Sequence, residues 1–177
     1  MAATTNKETE IQKGLKLVKI RLVKEKTMFR SRMIRNSDDA VEAMRDELAG
    51  YDREVFCILN LKTDGSVINM NIVSQGTLNS SLISPREVFK SSILSNAAGI
   101  IMLHNHPSGN VQPSPEDYDA TKRMVECGKM LDIAVVDHIV VGAETGLAYS
   151  FKAHDELGLS YCEAHSDIHR SFDDWER

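Results

Sequence analysis

Alternating helix and strand patterns, apolar runs suited to strands covered on both faces, and capping signals between them predict a layered α/β domain with a largely buried mixed sheet flanked by helices. The first segment with a pattern is "LKLVKIRLV", 15–23, where apolar and basic residues roughly alternate as on a half-buried strand, its lysines suited to an exposed edge. A helix over 38–49 follows, capped by Asn36 or Ser37 and ended by Gly50, with Val41, Met44 and Leu48 on one face. "EVFCILNL", 54–61, is continuously apolar, and with the turn "KTDGS" and "VINMNIVS", 67–74, it forms a hairpin of two central strands.

"SPREVFKSSILSNA", 84–97, predicts a helix with Ser84 as N-cap, Pro85 at N1 and Glu87 at N3 completing a capping box, closed by Gly99. "GIIMLHNH" reads as a strand, 114–132 as a second capped helix, "IAVVDHIVVG" (133–142) as a strand and 146–153 as another. Neither an internal repeat nor a low-complexity linker interrupts the pattern.

A chain of 177 residues with 42% hydrophobic residues fits one ordinary domain. Its division is predicted as a basic N-terminal extension over 1–27, partly strand, a domain over 28–153, and an acidic tail over 154–177. Cys57, Cys127 and Cys162 are widely spaced and form no C-x-x-C pair, and no signal core or membrane-length apolar run is present, so a cytoplasmic protein is expected. The net charge of -5 argues against a chain devoted to nucleic acid. The charge is uneven, however: Lys13, Lys16, Lys19, Arg21, Lys24, Lys26, Arg30, Arg32 and Arg35 stand against Glu25 alone between 11 and 35. DNA binding through residues 13–35 is therefore the runner-up reading, through phosphate contacts.

The chemistry gathers at "HNHPSGNVQPSPED", 104–117. Residues two apart in a strand share a face, so His104 and His106 project together from the end of a strand, where sites form in open α/β sheets. The loop that follows brings Asp117 into the first turn of the next helix. Two imidazoles and a carboxylate are three protein ligands for zinc, with a fourth position left for water. On local sequence alone Asp117 is explained equally well as the N3 partner of a cap at Ser114. A nucleobase deaminase needs H-x-E with P-C-x-x-C, and the helical zinc peptidases need H-E-x-x-H; neither pattern occurs. Asp137-His138 reads either as a supporting hydrogen-bonding pair near the site or as a satisfied polar pair at a strand bend. Cys162, His165 and His169 imitate a metal cluster but lack a second pair at suitable spacing, and read as a solvated tail.

Through His104, His106, Pro107, Ser114 and Asp117 the pattern H-x-H-P-x6-S-x-x-D resembles the JAMM motif of MPN (JAB) domain metalloproteases. With "SPREVF" before it and "DHIVVG" after it, the stretch from about Glu54 to Ala153 is similar, more narrowly, to the bacterial RadC-like JAB domain proteins. In one respect the chain departs from the pattern: it is expected to have no room for the helix-hairpin-helix segment that longer RadC proteins carry before the domain, so a DNA-related role inferred through that segment is not expected. The resemblance implies one Zn²⁺ per chain held by His104, His106 and Asp117, with Glu54 as general acid/base and Ser114 as hydrogen-bond donor to an oxyanion. It also implies hydrolysis of a peptide or isopeptide bond in a protein or peptide substrate.

Overall fold

The computed structural model describes residues 19, 21–26, 33–76, 83–142 and 145–159. Most of the basic segment over 13–35, and Cys162, His165 and His169 in the tail, lie outside them. Lys19 and residues 21–26 are described and belong to no strand.

Helix α1 (Ser37–Ala49) starts where Asn36 accepts a hydrogen bond from the Asp39 amide and ends at Gly50. Strands β1 (Val55–Leu61) and β2 (Val67–Gln75) pair antiparallel, joined by a turn in which Gly65 takes φ 79. A Cβ there would meet the Ile34 carbonyl oxygen at 2.9 Å, so only glycine satisfies both the turn and the strap above it. Helix α2 (Pro85–Leu94), strand β3 (Gly99–His106), helix α3 (Pro115–Leu131), strand β4 (Ala134–Gly142) and the short β5 (Ala148–Ser150) complete the order. The sheet runs β2-β1-β3-β4-β5, with β3 parallel to β4 through α3 and the other pairs antiparallel. This is the mixed, helix-flanked sheet the sequence predicts.

Two apolar layers follow from the period-2 alternation of the central strands. Cys57, Leu59, Ile101 and Leu103 face α1, through Val41, Met44 and Leu48. Phe56, Ile58, Ile100 and Met102 face the other side, toward Val88 and Phe89 of α2 and Met124 of α3. His104 and His106 share the parity of Ile100 and Met102, so the same alternation that builds the second layer carries both imidazoles to its open end.

Three expectations are corrected. Helix α2 stops at Leu94 rather than 97, and Gly99 begins β3 instead of closing the helix. The Ser95 hydroxyl bonds back to the Ser91 carbonyl and Asn96 adopts φ 50, a left-handed turn residue where glycine was expected. No side-chain cap forms at Ser84, and the Glu87 carboxylate turns outward to Lys90 and Arg86 rather than back to the cap, so the capping box does not close. Strand β5 is shorter than 146–153, since the chain turns at once after Ser150: the amides of His154, Asp155 and Glu156 bond back to the carbonyls of Ser150, Lys152 and Phe151. His154, Glu156 and Leu159 then pack on the domain, Leu159 within the second core layer.

Candidate metal centre

His104 ends the buried run of β3, and the loop after it is shaped to hold His106. Gly109 takes φ 77, closing a turn from its amide to the His106 carbonyl, and the Asn110 carbonyl then lies 2.6 Å from His106 Nδ1. A carbonyl only accepts, so Nδ1 of His106 carries the proton and Nε2 presents its lone pair. Gly142 at the end of β4 gives this loop room, since a Cβ there would meet the Gly109 carbonyl oxygen at 2.7 Å.

Ser114 caps α3 with a complete capping box. Oδ2 of Asp117 accepts from both the amide and the hydroxyl of Ser114 at 2.7 Å, and the Asp117 amide donates to Ser114 Oγ at 3.2 Å. The cap therefore engages one carboxylate oxygen and leaves the other: Oδ1 stands 3.4 Å from His104 Nε2. His106 Nε2 lies 3.0 Å from His104 Nε2 and 3.9 Å from Asp117 Oδ2. All three ligand atoms fall within 4.8 Å of one another. In a tetrahedral site with bonds of about 2.0–2.1 Å, ligand atoms lie about 3.3 Å apart, the scale of these separations. The cap thus leaves Asp117 one oxygen facing the histidines, where it could also serve as a metal ligand.

Burial dominates the electrostatics. His104 is fully buried and its pKa is pushed down to about 4, chiefly by burial and also by His106, against the opposing pull of Asp117. His138 is lowered well below the ordinary histidine range, again chiefly by burial, then by His104 and His106. Both rings are neutral near pH 7, the state in which imidazole binds a metal.

An open pocket of about 550 Å³ lies over the cluster. Its wall includes Glu54, Ser114 and Glu116 beside the three ligand candidates, with no lysine or arginine among the described lining residues. This negative lining suits a cation. Glu54 stands just before β1; Phe56 pairs with His104, so the antiparallel register carried two residues further sets Glu54 opposite His106. The single hydroxyl proton of Ser114 is directed to Asp117, so donation elsewhere requires the hydroxyl to rotate.

Two residues outside the sequence reading support this arrangement. Asn105, between the two histidines and fully buried, accepts from the Val55 amide at 2.7 Å and donates to the Arg53 carbonyl at 3.0 Å, clasping the backbone on both sides of Glu54. Thr121 bonds both the Asp117 carbonyl and His138. Asp137 is turned away from the ligands: it takes hydrogen bonds from Ser150 Oγ, the Lys152 amide and the His138 amide, and burial raises its pKa despite these donors. It ties the turn after β5 to β4.

A sequence profile described as the RadC-like JAB domain matches residues 34–157, which includes every site residue above. The chain belongs to this family. Curated relatives agree: a UPF0758 protein of Bacillus cereus is 45% identical over 121 residues, 68% of this chain and 54% of the relative. One of Syntrophomonas wolfei is 44% identical over 115 residues (63% and 49%), and one of Moorella thermoacetica 42% over 151 residues (80% and 66%). The chain thus spans about half the length of the first two relatives. The JAB/MPN superfamily to which the RadC-like domain belongs includes hydrolases. Among the described residues no helix is long and apolar enough to cross a membrane.

Proposed function

We propose that this chain is a zinc-dependent hydrolase of amide bonds, acting on a peptide or isopeptide bond of a protein substrate. The observation that carries the reading is the convergence of His104 Nε2, His106 Nε2 and an Asp117 oxygen beneath an open pocket whose wall contains Glu54. A zinc ion bound there supplies Lewis acidity that lowers the pKa of a water to about 7.

The chain's own groups would do the rest. Glu54 accepts the proton of the attacking water and delivers it to the departing amine, its place held by the Asn105 clasp on either side. Ser114, rotated from Asp117, donates to the oxygen that gains charge, a contribution of about 3–4 kcal/mol where such donors have been removed elsewhere.

The test is Glu54→Gln, which keeps size and hydrogen bonding but removes the proton acceptor. Zinc content should stay at the wild-type value, while cleavage of a peptide or isopeptide library falls by a factor on the order of 10² to 10⁴. A fully active variant would remove Glu54 from the mechanism, and a metal-free one would make it a ligand.

A further inference from the structure

Three elements meet behind the candidate metal centre in an unbroken chain of hydrogen bonds. Thr121 of α3 contacts the Asp117 carbonyl at 2.6 Å and His138 Nδ1 at 2.6 Å, and His138 Nε2 of β4 lies 2.9 Å from His104 Nδ1 of β3. We propose that Thr121 and His138 are positioning residues that lock His104 in its Nδ1–H form and so aim the Nε2 lone pair at the metal. This rests on the metal-site reading above.

The directions of the bonds follow from what each group is able to do. The Asp117 carbonyl only accepts, so the one hydroxyl proton of Thr121 goes to it. The Thr121 oxygen then offers a lone pair to His138 Nδ1, which must carry a proton. The His138 ring is 1% exposed and set between Phe56, edge-on at 5.7 Å, and Phe151, stacked at 5.0 Å. A second proton would make an imidazolium between two aromatic rings without a carboxylate bonded to it, a costly state. His138 Nε2 is therefore an acceptor, and the proton between it and His104 belongs to His104 Nδ1. The remaining nitrogen of His104, Nε2, is left bare toward Asp117 and His106. His106 reaches the same state by a separate route, through Asn110, so two lone pairs face each other at 3.0 Å, an arrangement that a cation between them relieves. The relay begins and ends on Asp117, whose carbonyl anchors Thr121 and whose carboxylate completes the ligand set. One residue thus ties the ligand on the helix to the ligand on the strand.

Breaking the first link should propagate. In Thr121→Val the His138 Nδ1–H has no acceptor, which releases His138 to its Nε2–H form; that form donates to His104 Nδ1 and moves the His104 proton onto the metal-facing nitrogen. Two readouts test this. In the metal-free protein at alkaline pH, long-range proton–nitrogen spectra of ¹⁵N-histidine-labelled chain should show His104 as Nδ1–H in the wild type and Thr121→Ser, and Nε2–H populated in Thr121→Val. In chelator competition with zinc, Thr121→Val should bind about 10- to 100-fold more weakly than the wild type, and Thr121→Ser within about threefold of it. Backbone amide spectra establish that each variant is folded. A wild-type His104 found as Nε2–H, a Thr121→Val that matches the wild type in both readouts, or a Thr121→Ser as weak as the valine variant each overturns the proposal. If the wild type binds no zinc, the hydrolase reading fails, and the protonation pattern of the metal-free chain still decides the relay.

Discussion

Helices α2 and α3 open on nearly the same words, Ser84-Pro85-Arg86-Glu87 and Ser114-Pro115-Glu116-Asp117, and come to different ends. At α3 the box closes, Asp117 is buried, and its free oxygen meets an imidazole. At α2 the serine makes no side-chain cap and Glu87 lies in solvent beside Lys90. The local code is the same; what differs is the ground each helix lands on. Glutamate has one more methylene than aspartate and an available lysine one turn away, whereas Asp117 arrives over the ends of β3 and β4, where two histidines already stand. A capping pattern locates a helix start, and the neighbouring strands decide whether its acid faces solvent or a cluster of histidines.

The comparison breaks most visibly under amide substitution at the two acids. Asp117→Asn keeps a side-chain oxygen for the cap but loses the charge, so the chain should remain folded while zinc affinity falls by more than the about 10- to 100-fold that a supporting residue is worth. Glu87→Gln should leave zinc affinity unchanged. Equal effects in a chelator titration would mean that Asp117 is only a cap.

A second difference is in pH. The buried histidines lie at the α3 end, and His104 is held down to about 4, below the 6.5 of an unfolded histidine. A depressed pKa means that acid favours the unfolded chain: stability is fully present above pH 6.5 and is lost as pH falls from 6.5 toward 4. For His104 alone the loss at pH 5 is about 2 kcal/mol, and His138 adds in the same direction. Urea unfolding of the metal-free protein at pH 7.5 and 5.0 measures it; equal stabilities at the two pH values would contradict the burial of neutral rings.

The smallest contrast is at the caps themselves. Ser114→Ala removes a hydroxyl bonded in both directions and should cost about 1 kcal/mol, while Ser84→Ala removes one that caps nothing and should cost a few tenths at most. Paired melting curves rank the two.

These contrasts also mark what was legible in the chain. The strands are readable because β1 and β3 each carry a long apolar run that is buried, Val55–Leu59 and Ile100–Leu103, and strand parity alone sets His104 and His106 on one face. Asp117 is legible as a candidate ligand only through the motif, because a cap accounts for it locally. The capping pattern at Ser84 does not by itself weigh the pull of Arg86 and Lys90 on Glu87, and there the box stays open. Asn105 and Thr121 carried no local mark. Asn105 meets partners 50 and 52 residues away and Thr121 meets His138 17 residues on, so their roles exist only once β1, β3, β4 and α3 are assembled. His138 was readable as a polar residue near the site, but its link to His104 depends on the parallel β3–β4 register that sets it beside Met102, one strand over and two residues before the ligand.

The central claim is that His104, His106 and Asp117 hold one metal ion, and anomalous diffraction tests it most directly. Crystals of the metal-free chain soaked in zinc should give a single strong peak at the zinc edge, about 2.0–2.2 Å from Nε2 of both histidines and from one Asp117 oxygen. No peak there, or a peak held by other residues, would contradict the account.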